Sequence, residues 1–373
     1  MGGYTFRRTT LVALIWLVFA TIPIPNTGAT EPLQSHVGPA LYSIYESGPF
    51  DEAVERLRAE LKPGVGPALR RMQPYRTEID ALLAARGLST EILAVAVIES
   101  HFQVGAVSSS GAVGVWQFMD HSVPNWMRMR EDIDDRRDVF FSTLAALDKL
   151  IHNYNTLGDW WAAITAYNGG LGLVSRAMEA AAGDTPRERF LAAYDGLPPE
   201  PKRYILKFLA AAPLVAYPGR HGIDMEWNEP VEWDFLVLDE PVDIVLLAER
   251  AGVPVELMLE ANAASSATVT PLRGHVLRFP KSKGESVRRL VAAGEHLLHL
   301  RPVFPPPGMS LSELSDRLHV PEEIIVYVAE HAGGGNAGAA VENGRSEVAF
   351  PSAGPALIPE YRPNPLLWGN KDD

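Results

Sequence analysis

The sequence predicts a mainly α-helical chain that ends in small α+β modules. Up to about residue 216, apolar residues recur at helical spacing and strand-like alternation is scarce. After Pro218-Gly219 the texture changes, and short alternating runs bracket short helical ones. A length of 373 residues exceeds one ordinary core and leaves room for a large domain plus one or two modules. Hydrophobic residues at 47% and charged residues at 21% exclude a globally disordered chain.

In chain order, residues 1–29 carry Arg7-Arg8, an uncharged apolar run over 11–20, Pro23, Pro25 and the small residues Thr27-Gly28-Ala29. A basic flank, a short apolar centre and a small-residue exit predict a secretory signal peptide, with an uncleaved signal anchor as the rival reading. Residues 30–64 read as a helical lead-in, broken at Gly48-Pro49 and Pro63-Gly64. Residues 68–86 place Leu69, Met72, Ile79, Leu82 and Leu83 among charges, which predicts an amphipathic helix closed by Gly87. Ser89 stands where a cap is needed for the next helix, whose Ile92, Leu93, Val95, Ala96, Val97 and Ile98 are apolar nearly all round and predict burial. That helix ends at Glu99-Ser100, where desolvation is expected to favour the protonated carboxyl. Residues 108–114 are small and glycine-bearing, which predicts a loop whose backbone approaches something closely. Helices follow over 138–154, 160–167 and 201–216, the second stopped by Gly169-Gly170.

A β-α-α-β unit is expected from a strand at 232–238, helices at 242–251 and 255–261 around Gly252-Val253-Pro254, and a strand at 276–279. A weaker copy follows Pro305-Pro306-Pro307-Gly308, with helices at 311–318 and 322–329 and a strand at 348–351. Leu247-Ala248 through Val253-Pro254 matches Leu314-Ser315 through Val320-Pro321 at an offset of 67 residues, and each copy ends in Phe-Pro. Gly-rich residues 333–340 read as a flexible insertion, and the proline-rich end from Pro351 as poorly ordered.

The net charge of -13 disfavours nucleic acid and anionic lipid as partners, since both require lysine and arginine to neutralise phosphate. A polymer recognised through hydroxyl and amide groups stays compatible. Absence of cysteine excludes disulfides, thiol chemistry and a lipid-modified cysteine. His296 and His299 share a helical spacing but bring no third ligand, and Asp132, Asp134 and Asp135 lack the glycine and terminal glutamate of a calcium loop, so no metal or other cofactor is expected.

By its position alone, Glu99 is open between a catalyst and a solvated or paired helix-end glutamate. Its context adds Ser108, the run Gly111-Ala112-Val113-Gly114-Val115-Trp116-Gln117-Phe118-Met119, and Ala166-Tyr167-Asn168-Gly169-Gly170. Hydroxyl, amide and phenol groups spaced by glycines suit a groove for a polar sugar chain. In that order and spacing, these residues resemble the soluble lytic transglycosylase domain with its goose-type lysozyme-like fold. Arg86-Gly87-Leu88 and Asp135-Arg136-Arg137-Asp138 resemble the D-type membrane-bound lytic murein transglycosylases more narrowly. The catalytic domain is then expected over 65–218.

The resemblance implies that Glu99 is the single catalytic residue, acting as acid and then as base. It implies substrate contacts from Ser108 at the N-acetyl side, Gln117 and Met119 in the groove wall, and Tyr167 beside the glutamate, with Asn168 supporting that turn. Met119 is equally readable as core, and the Asp135-Arg136-Arg137-Asp138 run as a structural ion-pair network. Asp120, where the family usually has proline, and Leu171 and Leu173 in the tyrosine-asparagine motif depart from its pattern, which puts rate and substrate preference in question. The C-terminal units resemble LysM modules, at 230–284 and, in degenerate form, at 300–353, with a tail at 354–373. Glycan binding and a spacer role both stay open for them.

Peptidoglycan glycan strands are the implied partner, with no nucleic acid, a membrane tether only through an uncleaved leader, a monomer as default, and a periplasmic or cell-envelope location. A non-catalytic peptidoglycan-binding protein and a hydrolytic muramidase are the competing functions.

Overall fold

The structure is a computed structural model that describes residues 50–226, 229–272, 274–293, 297–306, 308–331 and 356–367. The expected signal peptide at 1–29, the lead-in up to residue 49, the strand at 348–351 and His296 lie outside the described residues.

The helices of the first part are α1 (Asp51–Met72), α2 (Arg76–Ala85), α3 (Ala94–Ser100), α4 (Val139–Leu157), α5 (Trp160–Gly169), α6 (Leu171–Glu179), α7 (Pro186–Tyr194) and α8 (Pro199–Ala216). Between α3 and α4 stands a two-residue ribbon, β1 (Met129–Arg130) with β2 (Ile133–Asp134). After residue 230 come β3 (Trp233–Leu238), α9 (Ile244–Ala251), α10 (Val255–Ala261), β4 (His275–Pro280), α11 (Gly284–Ala292), β5 (Leu300–Val303), α12 (Leu311–Leu318), α13 (Glu322–His331) and β6 (Ala356–Pro359). Mostly helical structure with small strand-bearing C-terminal units is thus what the sequence predicts.

Three local expectations need correction. Pro63-Gly64 does not break the chain, because α1 runs through both residues. Val54 before the proline, and Val65, Ala68, Leu69 and Met72 after it, are all buried, and this burial outweighs the ~3 kcal/mol that an interior proline costs. The interruption falls instead at Gln73–Tyr75, a 3-10 turn around Pro74 that separates α1 from α2. Ser89 makes no capping bond, since the chain enters α3 through a 3-10 turn, Thr90–Leu93, and the Ser89 hydroxyl has no hydrogen-bond partner.

The chain divides into two compact units, Met1–Gly66 with Arg76–Ala94 and Leu147–Met225, and Pro67–Tyr75 with Val95–Ala146 and Glu226–Asp373. In the first unit α5 is central: Trp160 through Tyr167 are buried without exception, and the helix packs on α6, α7 and α8. Asp159 caps it by accepting from the Ala162 amide at 3.0 Å, and Thr185 with Glu188 forms a capping box on α7.

In the second unit β3 and β4 form an antiparallel pair from Trp233↔Pro280 to Leu238↔His275. Its core joins Leu247 and Ala248 of α9, Met258 and Leu259 of α10, Leu277 and Phe279 of β4, and Val287 of α11. The other strand pair sets β5 against β6, with Leu314 of α12, Ile324 and Ile325 of α13, and Ile358 of β6 in its core. The segment read as a tail therefore supplies a paired strand. Pro302 and Pro359 are compatible with this ladder because each of its two strands has a free edge that demands no N–H.

Candidate active site

Glu99 is the penultimate residue of α3 and is half-buried. Residues 92–96 are fully buried, so the helix is a rigid mount for it. Beyond Ser100 the backbone turns through two consecutive left-handed residues, His101 at φ 51° and Phe102 at φ 59°. Neither is a glycine, and such angles persist only where the surroundings fix them. Here the Ser100 hydroxyl donates to the Val115 carbonyl at 2.8 Å, Arg71 Nε donates to the His101 carbonyl at 2.9 Å, and the Phe102 ring is fully buried beside Tyr75 at 6.2 Å.

The small-residue loop that follows is closed by its own backbone. Gly114 N donates to Ala106 O at 2.9 Å, Ser108 N to Ala112 O at 2.9 Å, and Val113 exchanges bonds with Phe118. Ser108 is half-buried, and its hydroxyl accepts from the Ala112 amide at 2.9 Å, which leaves its own O–H able to donate. Gln117, also left-handed at φ 50°, turns its side-chain amide inward onto the Gly114 carbonyl at 2.9 Å and the Ala106 carbonyl at 3.4 Å. That amide ties the loop together. Met119 is half-buried, and its carbonyl accepts from both the amide and the hydroxyl of Ser122. Asp120 is exposed, with its carboxyl held below the ordinary range by the His121 amide.

Gly114 is the close approach that the sequence predicts. A Cβ there would lie 2.0 Å from the Arg136 carbonyl oxygen, and its φ of 80° is unfavourable for any side chain. Arg136 and Arg137 donate to the Phe118 and Gly105 carbonyls, at 3.4 and 3.3 Å, so the Asp135–Arg137 turn underlies the loop. Trp116 is fully buried and donates to Thr143 of α4 at 2.9 Å.

In the first unit, Tyr167 and Asn168 end α5. Tyr167 is buried, with the Lys149 ammonium 4.3 Å over its ring and hydrogen-bonded to its carbonyl at 3.3 Å. Asn168 Nδ2 donates to Glu200 at the start of α8, at 3.4 Å. Gly169 lets α8 come close, since a Cβ there would lie 2.7 Å from the Pro201 ring. The second unit thus assembles Glu99, Ser108, Gln117 and Met119 on one helix end and its loop, and the first unit carries Tyr167 and Asn168. Arg71 and Tyr75, which hold the turn after Glu99, were invisible at the level of motifs because nothing in their local sequence marks a partner 30 residues away.

Residues 78–190 match the Transglycosylase SLT domain family. Over 230 residues the chain is 28% identical to membrane-bound lytic murein transglycosylase D of Escherichia coli strain K12, covering 60% of this chain and 50% of that protein, with the same figures for the O6:H1 strain protein. It spans about half the length of these curated relatives. An inactive mutant of lytic transglycosylase Slt from Pseudomonas aeruginosa, solved by X-ray, overlaps 42% of this chain and 26% of its own at 18% identity and a TM-score of 0.32. Glu99, the Ser108 loop, Gln117 and the Tyr167-Asn168 turn all fall inside the residues that match the Transglycosylase SLT domain.

Proposed function

We propose that the chain is an exported peptidoglycan lytic transglycosylase of the cell envelope, cleaving the MurNAc-β-1,4-GlcNAc bond without water. The observation that carries this reading is a half-buried Glu99 at the end of a buried helix, its turn and the Ser108 loop pinned by hydrogen bonds, within the matched SLT domain.

Glycosidic cleavage ordinarily employs two carboxylates, but an N-acetyl group on the substrate can stabilise the cationic centre in place of the second. Glu99 then protonates the linking oxygen, the C1–O bond breaks, and the GlcNAc hydroxyl departs. As carboxylate, Glu99 takes the proton from the muramoyl C6 hydroxyl while that oxygen bonds to C1. The product is a 1,6-anhydromuramoyl end. Ser108 donates at the N-acetyl side, Gln117 and Met119 shape the wall of the groove, and Tyr167 and Asn168 supply the further substrate contacts that the family resemblance implies. The leader at 1–29 provides export, and no cofactor enters the reaction.

Digestion of purified sacculi with the full chain, followed by mass spectrometry, tests the reading. Anhydro ends in the wild-type digest and none with Glu99→Gln support it. Reducing muramic acid ends would assign a hydrolytic muramidase, and absence of turnover a binding protein.

A further inference from the structure

The second unit holds Glu99 together with the described residues of 226–373, and the side chains joining them form one continuous set. Trp233, the first residue of β3, lies parallel to Tyr75 at 5.6 Å and 9°, and its indole Nε1 donates to the Pro74 carbonyl at 2.7 Å. Tyr75 is fully buried and touches Phe102, three residues beyond Glu99, and Phe140 of α4. Glu260 of α10 is the electrostatic neighbour of both Tyr75 and Arg71, and Arg71 binds the His101 carbonyl. Arg278 of β4, itself 3% exposed, pairs with Asp138 at 3.2 Å while its guanidinium covers the Phe140 and Phe141 rings at 4.2 and 5.0 Å.

Bonds to backbone carbonyls extend the same contact. Arg128 donates to the Gly274 carbonyl at 2.7 Å, the Asp134 amide to Ala264 O at 2.8 Å, and the Ser266 amide to Asp132 O at 3.2 Å. Residues 263–265 and 267–270 are buried throughout. This α10–β4 connection is thus consumed by the protein's own chain, which fits a structural module rather than an arm whose connecting loops stay free for ligand.

We propose that Trp233 is a positioning residue for Glu99, acting through Tyr75 and Phe102, so that the β3–β4 module completes the mount of the catalytic carboxyl. The turn His101-Phe102 holds two non-glycine residues at positive φ, a conformation that relaxes unless packing enforces it. Tyr75 enforces it from one side, and Trp233 fixes Tyr75 from the other. The inference rests on Glu99 being the catalytic acid.

The test uses the full chain and sacculi, with soluble anhydromuropeptide release giving kcat and KM and co-sedimentation giving binding. Trp233→Ala is expected to lower kcat at least about tenfold, as a displacement near 1 Å does, with KM and co-sedimentation within about twofold of wild type. Trp233→Phe keeps the ring stack and is expected to recover most of the rate. Val287→Ala, a cavity in the same module's core at a residue outside the stack, serves as the stability control and is expected to leave kcat unchanged while lowering Tm. If Trp233→Ala does not fold, Trp233→Leu takes its place and carries the same expectation.

Wild-type kcat in the folded Trp233→Ala or Trp233→Leu variant overturns the proposal. So does a loss confined to KM and co-sedimentation, which would make the module an anchor, or an equal fall of kcat in Val287→Ala. Glu99→Gln measured alongside separates the two readings, because an active Glu99→Gln sinks the assignment of the acid, whereas a dead Glu99→Gln beside an unimpaired Trp233 variant sinks only the positioning role.

Discussion

His101 and Phe102 leave α3 at φ 51° and 59°, immediately after Glu99, where a glycine would be the unstrained choice. The cost is on the order of 1 kcal/mol per residue, and it is borne at a place where the backbone must carry a carboxyl out of a buried helix. Glu99 itself is not part of that strain. Glu99→Gln is therefore expected to abolish turnover while shifting unfolding free energy by less than about 0.5 kcal/mol, as read by urea denaturation beside the digest. Gly114 shows the opposite dependence. Gly114→Ala meets the Arg136 carbonyl as well as an unfavourable φ, and should cost about 2 to 4 kcal/mol from left-handed strain plus overpacking. A wild-type urea midpoint for that variant would mean that the loop is not pinned as described. The helix-end place of Glu99 and the close approach at Gly114 were legible in the sequence by type and spacing. The inward turn of the Gln117 amide onto two backbone carbonyls was not, because nothing in the local sequence marks that contact.

At the scale of elements, α4 begins where Asp138 accepts from the Phe140 and Phe141 amides, each at 2.9 Å, and pairs with Arg278. The run Asp135-Arg136-Arg137-Asp138 reads as structural ion pairing from sequence, and the structure supplies the partners: Arg128 for Asp135, Asp134 for Arg136, and Arg278 for Asp138. No local pattern could name the last of these, since 140 residues separate the two. Both side chains are about 95% buried or more, so removing one leaves a charge without compensation. Asp138→Asn should cost about 3 to 5 kcal/mol in urea denaturation, and Asp138→Leu combined with Arg278→Leu should cost less than either single replacement. Additive losses in the double variant would show that the pair is not coupled. Element limits were legible where glycines mark them, as at Gly170. They were missed at Pro63 and Ser89, where tertiary burial decides against the local signal.

For the molecule as a whole, the helical first part, the first β-α-α-β unit and the paired helices of the second were legible because periodicity reports burial directly, whereas the strands at Leu300–Val303 and Ala356–Pro359 were not read. What periodicity cannot report is that residues 226–373 share a unit with Glu99, since that depends on Trp233, Glu260 and Arg278 finding partners in distant segments. This arrangement carries an acid liability. His275 on β4 is fully buried with neither ring nitrogen hydrogen-bonded, and burial, reinforced by Arg128 and Arg278, pushes its pKa from 6.5 down to about 3. Between those values the unfolded chain binds a proton that the folded chain refuses, so stability is fully present above pH 6.5 and is lost as the pH falls toward 3. Tm should drop between pH 7 and pH 4, and His275→Leu should flatten the drop. An identical pH dependence in the variant would clear His275 of the effect.

The central claim is that one carboxyl, Glu99, cuts a glycan strand without water, and the chemistry of the new chain end reads this directly. Digestion of purified sacculi in 18O-labelled water, followed by mass spectrometry, should give 1,6-anhydromuramoyl ends carrying no label, and Glu99→Gln should give none. Labelled reducing muramic acid ends, or turnover that survives Glu99→Gln, would contradict the account.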